Sequence, residues 1–202
     1  MRHDLNFTEI VHLTPELLIT FQEDAKRALV GDGSCSLDNV AISCFASELC
    51  SCNRNPQSLE LSSLMDFPIR LVAVRENVFV GCVAAGPLRD VPNSLLRRVG
   101  CKSSDLFVVS LCVASDARNG GIGRLLLDGV RRAAPSSDLY LTTRKMSDGS
   151  DTALDQFHRE RLIRQHRFYT SEGFVEKVCP DQAFRLYVWE KSSQNQNLFR
   201  AT

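Results

Sequence analysis

The chain has 202 residues, with 24 Lys and Arg against 24 Asp and Glu and a hydrophobic fraction of 44%. This is ordinary globular composition, which excludes a disordered or fibrous chain. A net charge of zero excludes capture of nucleic acid or anionic membrane by bulk charge alone. No apolar run reaches the roughly 18–20 residues that span a bilayer. The opening Met1-Arg2-His3-Asp4-Leu5-Asn6-Phe7 lacks the apolar core of a signal peptide. The expectation is an intracellular, cytoplasmic protein of one domain over residues 1–191, followed by a polar tail over 192–202.

In chain order, Val11 to Leu13 reads as strand, and Thr14-Pro15-Glu16 as a helix N-cap with proline at the first helical position. That helix should run to about Leu29. A second is expected from about Ser36, carrying Val40, Ile42, Phe45 and Leu49, until Asn53-Arg54-Asn55-Pro56 breaks it. The apolar runs Ile69–Val74 and Val78–Ala85, separated by Arg75-Glu76-Asn77, predict a β-hairpin. A polar connection, Gly86–Ser104, leads to Leu106–Val113, a nearly all-apolar run of the kind that forms a strand buried on both faces. Ile122, Leu125, Leu126, Val130 and Ala133 then recur at helical spacing and predict one apolar face. Leu139–Leu141 resumes a strand, and Asp151 can cap a helix that reaches about Ser171 and ends at Gly173. A strand pair near Phe174–Val178 and Phe184–Glu190 completes an α/β pattern with a mixed sheet.

The eight cysteines are scattered, and reduced thiols are expected. Cys82 and Cys112 sit within apolar runs and read as small core residues. Cys44, Cys50 and Cys52 form a cluster without C-x-x-C spacing or a nearby histidine, so no metal site is expected.

The chemistry concentrates in Val113-Ala114-Ser115-Asp116-Ala117-Arg118-Asn119-Gly120-Gly121-Ile122-Gly123-Arg124, where a strand meets a glycine-rich turn that opens into a helix. Such a turn presents backbone N–H groups and the positive end of the helix dipole, a seat for phosphate. Glycines there let an anion approach the amides, and Arg118 adds a cation. An ordinary strand–turn–helix connection would use the same glycines, and the glycines alone leave both readings open. The order does not match G-x-G-x-x-G, and Gly123 is followed by Arg124-Leu125 rather than the Lys-Ser/Thr of a P-loop.

Leu111-Cys112-Val113, four residues, and then Arg118-Asn119-Gly120-Gly121-Ile122-Gly123 resembles the acetyl-CoA signature of the GNAT N-acetyltransferases, Arg/Gln-x-x-Gly-x-Gly/Ala after an apolar strand end. Further on, Phe168-Tyr169-Thr170-Ser171-Glu172-Gly173-Phe174 is similar to that family's aromatic-Tyr-x-x-x-Gly-Phe segment. The resemblance implies a single-domain GNAT-like α/β fold, with a central mixed sheet flanked by helices on both faces and splayed central strands. Its acetyl-CoA-binding core would cover about residues 105–178. Backbone groups of Leu111 and Val113 would pair with the pantetheine arm as an added strand does. Amides from Asn119 through Gly120, Gly121, Ile122 and Gly123 to Arg124 would hold the pyrophosphate. A main-chain N–H near Cys112 or Val113 would polarise the thioester carbonyl.

The resemblance also implies an acetyl transfer from acetyl-CoA to a primary amine, with no metal, and it makes Tyr169 the candidate general acid. A phenol with an ordinary pKa near 10 is protonated at neutral pH, as an acid for a leaving thiolate must be. Homodimers are common among such proteins. Three departures stand out. The strand interior Phe107-Val108-Val109-Ser110 holds no carboxylate, which leaves the general base open among Asp105, Glu172 and His166. Leu162 stands where the family often has Asn. Residues 143–156 are longer than the usual link and read as an inserted loop. The basic run His158–Arg167, with Arg161 and Arg164, suits either a solvated helix face or contact with CoA phosphates. Two other functions keep the same residues: an acyl-CoA-binding module without turnover that acts through protein partners, and a nucleotide-phosphate binder on an unrelated α/β fold.

Overall fold

The computed structural model describes residues 7–21, 61–88, 101–144, 153–179 and 184–191. The expected helix from Ser36, the Cys44/Cys50/Cys52 cluster, most of the Gly86–Ser104 connection and most of the inserted loop lie outside the described residues, as does the polar tail. Seven strands build one open mixed sheet: β1 (Thr8–His12), β2 (Ile69–Arg75), β3 (Val78–Pro87), β4 (Leu106–Val113), β5 (Leu139–Arg144), β6 (Val175–Lys177) and β7 (Phe184–Trp189). Their order is β1-β2-β3-β4-β5-β7-β6. β4 and β5 pair in parallel through Leu106–Leu139 and Phe107–Tyr140. The β1–β2, β2–β3, β5–β7 and β6–β7 pairs are antiparallel. Among the described residues the α-helices are α1 over 15–21, α2 (Ile122–Ala133) and α3 (Ala153–Ser171).

The chain divides into two compact units, each built from separate stretches: Met1–Gly86 with Val108–Pro135, and Pro87–Phe107 with Ser136–Thr202. In the first unit, the Thr14 hydroxyl accepts the Leu17 amide proton at 3.3 Å, so the expected cap starts α1. The hairpin forms as expected. Glu76 and Asn77 both have positive φ, 52° and 63°, the two-residue turn whose twist suits antiparallel strands. Leu13, Phe21, Leu64, Val72, Phe79, Cys82 and Ala84 form the buried core cluster, with Cys112 packed against it.

Helix α2 corrects the expected face. Ile122, Leu126, Leu127, Gly129 and Val130 are buried, whereas Leu125 is 38% exposed and Ala133 is also exposed. The rotation has a steric reason. A Cβ on Gly129 would stand 2.6 Å from the Leu71 side chain and 3.5 Å from that of Ile10, so the helix lies on β1 and β2 along its glycine. Within three consecutive leucines the apolar period alone does not select Leu127 over Leu125.

In the second unit, Leu139, Leu141, Leu186, Tyr187 and Val188 are buried on β5 and β7, and α3 adds Tyr169. The N-terminal end of β4 is tied to this unit. Leu106 N–H donates to the Asp138 carbonyl at 3.0 Å, and the Ser137 hydroxyl donates to the Ser104 carbonyl at 2.6 Å. β6 and β7 are joined at their surface by Lys177–Glu190 and Arg185–Glu176 ion pairs at 2.9 and 3.3 Å.

Candidate active site

At the C-terminal end of β4, Leu111, Cys112 and Val113 are half-buried, and Ala114 N–H donates to the Val80 carbonyl of β3 at 2.9 Å. β3 approaches this stretch closely. A Cβ on Gly81 would fall 2.7 Å from the Cys112 carbonyl oxygen and 3.4 Å from Val113 Cα. Because both neighbours are backbone, nothing larger than glycine fits without moving β4 itself. The chain then makes a short 3₁₀ turn, Ser115–Ala117, and Arg118 folds back so that its Nε donates to the Val113 carbonyl at 3.1 Å. Arg118 thus grips the strand end with one edge of its guanidinium.

Beyond it, Asn119 and Gly121 both adopt left-handed backbone, with φ of 65° and 76°. Gly121 is the N-cap of α2, and no side chain caps the helix there. The first amides of an α-helix have no partner within it, so the N–H groups from Ile122 to Arg124 lie at an end that no side chain closes. A Cβ on Gly121 would meet nothing within 4 Å, which makes the surrounding space open. Arg118, Asn119, Gly120 and Arg124 are exposed, Gly123 is half-buried, and Ile122 is buried and anchors the helix. Leu111 through Arg124 are therefore brought together within the first unit as one strand–turn–helix edge.

Two residues of this edge escaped the sequence reading. Gly81 looks like any small strand residue until its β4 neighbour is known. Arg75, the last residue of β2, places Nη2 3.3 Å from where a Gly120 Cβ would be, while its Nε donates to the Thr8 hydroxyl at 3.2 Å. In the sequence it is one of three polar residues in a hairpin loop, and only the fold puts it at the glycine turn.

The thiols of Cys82 and Cys112 interact across β3 and β4. The interaction with the Cys112 side chain raises the Cys82 pKa well above the ordinary thiol value, with burial in the same sense. The same interaction lowers Cys112, helped by the Ser110 hydroxyl and the Arg118 charge. Ser110 Oγ lies 4.0 Å from Cys112 Sγ.

The second unit holds Tyr169, on the last turn of α3. Gly173, at φ 82°, reverses the chain. Phe174 N–H donates to the Tyr169 carbonyl at 3.0 Å, and Gly173 N–H donates to that of Thr170 at 3.1 Å. This double closure satisfies the Tyr169 and Thr170 carbonyls, and the expected contact across it is present: the Phe174 and Tyr169 rings meet edge-on at 5.8 Å. The Phe168 and Tyr187 rings lie 5.2 and 5.6 Å from Tyr169. The spacing aromatic-Tyr-x-x-x-Gly-Phe is thus the spacing that this helix end needs.

The three candidate bases are placed differently. Asp105 is 2% exposed and accepts the Lys102 amide proton at 2.6 Å, so its carboxylate closes the turn before β4. His166 Nδ1 lies 2.9 Å from the Tyr187 hydroxyl and 3.7 Å from the Glu176 carboxylate. Glu172 is buried, and its backbone N–H bonds to the Phe168 and Tyr169 carbonyls. Among the described residues, no group of three or more His, Cys, Asp or Glu is placed to hold a metal ion, and no helix is long and apolar enough to cross a membrane.

A family profile described as the acetyltransferase (GNAT) domain matches residues 69–176. Curated protein sequences give no match. Several solved structures share the fold. An acetyltransferase from Thermus thermophilus superposes with a TM-score of 0.53 at 14% identity, covering 90% of this chain and 95% of that one. The PaiA N-acetyltransferase of Thermoplasma acidophilum, solved in complex with coenzyme A, gives 0.52 at 13% identity over 91% of this chain and 99% of its own. An aminoglycoside 6′-N-acetyltransferase complexed with coenzyme A gives 0.50 at 16%, covering 89% and 94%. At these identities the likeness is one of fold, and the family follows from the profile: the chain belongs to the GNAT acetyltransferase family.

Proposed function

We propose that this protein transfers the acetyl group of acetyl-CoA to a primary amine by direct attack. The observation that carries the reading is the turn from Arg118 to Gly121. Two left-handed residues there deliver the chain into α2 without a side-chain cap, so successive amides stay available to a pyrophosphate. The residues fit the cosubstrate: Asn119 to Arg124 would hold its phosphates, and backbone groups of Leu111, Cys112 and Val113 would receive its pantetheine arm as an added strand. When bound, acetyl-CoA supplies an acetyl group already activated as a thioester.

The protein's part is to hold this group against the amine and to manage protons. A neutral amine forms the C–N bond as the C–S bond breaks, and the amine loses a proton to a base. Tyr169 gives its phenolic proton to the departing thiolate. Its assignment rests on its place in the family motif. The absence of a carboxylate within Phe107-Val108-Val109-Ser110 favours a second reading, a module that binds acyl-CoA without turnover and acts through protein partners.

Calorimetric titration of acetyl-CoA tests the first step, with Gly121→Glu as control and ATP as competitor. Micromolar binding that Gly121→Glu abolishes and ATP does not displace supports the reading, whereas no binding overturns both readings. Thiol release with a panel of polyamines, amino acids and peptides then separates them. Release that falls in Tyr169→Phe supports the enzyme, and tight binding with no release for any amine supports the module.

A further inference from the structure

The glycine turn has a second cation besides Arg118, brought to it from β2. Arg75 Nη2 stands 3.3 Å from the position a Gly120 Cβ would take, and Thr8 on the paired strand accepts from its Nε at 3.2 Å. That tether holds the guanidinium by its Nε while Nη2 faces the turn. Arg75 is half-buried, and among the described residues no carboxylate pairs with it. Gly120 directly precedes the N-cap of α2, where the helix dipole is positive. A positive side chain beside a positive helix end is a local conflict, and natural sequences keep such conflicts at functional sites. An anion at the turn converts both repelling partners into donors. Arginine suits this place because its fork offers several N–H groups to a phosphate at once.

We propose that Arg75 is a phosphate-binding residue that clamps the pyrophosphate of acetyl-CoA from β2, held in register by Thr8. This rests on the reading of the site as an acyl-CoA seat. The division of labour follows from the geometry. Arg118 commits Nε to the Val113 carbonyl and organises the strand end, while Arg75 meets the turn at Gly120. The hairpin turn at Glu76-Asn77 and the β1–β2 pairing thereby become part of the binding apparatus.

The test compares acetyl-CoA with S-acetyl-pantetheine, which carries the same thioester and no pyrophosphate, by titration of the full chain. Arg75→Gln is expected to weaken acetyl-CoA binding by about tenfold to hundredfold, the range for losing a charge-assisted contact, and to leave S-acetyl-pantetheine unchanged. The loss should persist with 3′-dephospho-acetyl-CoA, and Arg75→Lys should recover part of the affinity. In addition, the salt dependence of acetyl-CoA binding should become shallower in Arg75→Gln.

Equal losses for both thioesters would mean a structural role and would overturn the proposal, as would wild-type affinity in Arg75→Gln. A loss confined to the 3′-phosphorylated form would likewise overturn the pyrophosphate assignment. If Arg75→Gln does not fold, Thr8→Val keeps the charge and removes its tether. A several-fold loss for acetyl-CoA alone then supports the clamp, and an equal or absent loss overturns it. The underlying reading fails separately, if the unaltered protein does not bind acetyl-CoA at all.

Discussion

Helices α2 and α3 each have a glycine in left-handed backbone at one end, Gly121 at 76° and Gly173 at 82°, and the two ends are opposite in what they leave over. At Gly173 the chain turns back on itself. The Phe174 and Gly173 amides bond to the Tyr169 and Thr170 carbonyls, and the Phe174 ring covers the closure. The Tyr169 and Thr170 carbonyls are taken up by the chain itself, and what this end offers is a side chain. At Gly121 the same backbone region does the reverse. It begins a helix with no side-chain cap and open space beside the glycine, next to two arginines. The comparison separates two uses of one residue type: a glycine that completes a helix and a glycine that exposes one.

The sharpest test of the closed end is Tyr169→Phe. If its side chain supplies the proton, kcat with a responsive amine should fall about 100-fold or more, with the phenylalanine ring keeping the contacts to Phe168, Phe174 and Tyr187. An unchanged kcat would make that end purely structural. At the open end, Gly121→Glu should weaken acetyl-CoA binding about 100-fold, since it combines left-handed strain with a carboxylate facing a pyrophosphate. Gly121→Ala separates the two causes. No protein atom beyond the chain neighbours lies within 4 Å of its new Cβ, so the carboxylate's repulsion is gone while backbone strain and a methyl beside the phosphate remain, and titration should show less than about a tenfold loss.

Gly173→Ala should show the converse pattern. Forcing an alanine into the left-handed region that Gly173 occupies costs roughly 1–2 kcal/mol, read as a lower denaturation midpoint, with acetyl-CoA affinity unaltered. The smallest effect concerns the thiols. A lowered pKa means more thiolate at a given pH, so iodoacetamide should label Cys112 at pH values below the ordinary thiol range. Cys82, raised by its hydrogen bond to Cys112 and by burial, should stay unlabelled. Peptide mass mapping across roughly pH 6 to 9 distinguishes them, and preferential labelling of Cys82 would reverse the assignment.

Much of this was legible in the residues because local signals agree with the fold. Thr14-Pro15 starts α1, Leu106–Val113 forms β4 as read, and the hairpin closes where Glu76-Asn77 follows a β-rich run. The glycine turn and the Tyr169 segment were likewise visible, since both are built from residues adjacent in sequence. What was not legible depends on contacts across strands. Gly81 matters because the Cys112 carbonyl lies against it, and Arg75 matters because Gly120 does. Asp105 illustrates the same gap from the other side. A carboxylate at a strand start invites a catalytic reading, and only the fold shows that its Oδ2 also accepts the Lys102 amide proton at 2.6 Å. Leu125 and Leu127 exchanged places because their exposure is decided by where Gly129 lets α2 settle on Leu71 and Ile10.

The interleaving of the two compact units also governs how the chain is made. Met1–Gly86 is completed only by Val108–Pro135, and Pro87–Phe107 only by Ser136 onward, with β4 running through the boundary between Phe107 and Val108. On a ribosome, β1 and β2 therefore emerge before α2, and the contact of Leu71 and Ile10 with Gly129 forms only once that helix has been synthesised. A cut after Pro135 keeps both stretches of the first unit but strips Pro87–Phe107 of its partner, and a cut after Gly86 does the converse, so every split or truncation breaks at least one unit.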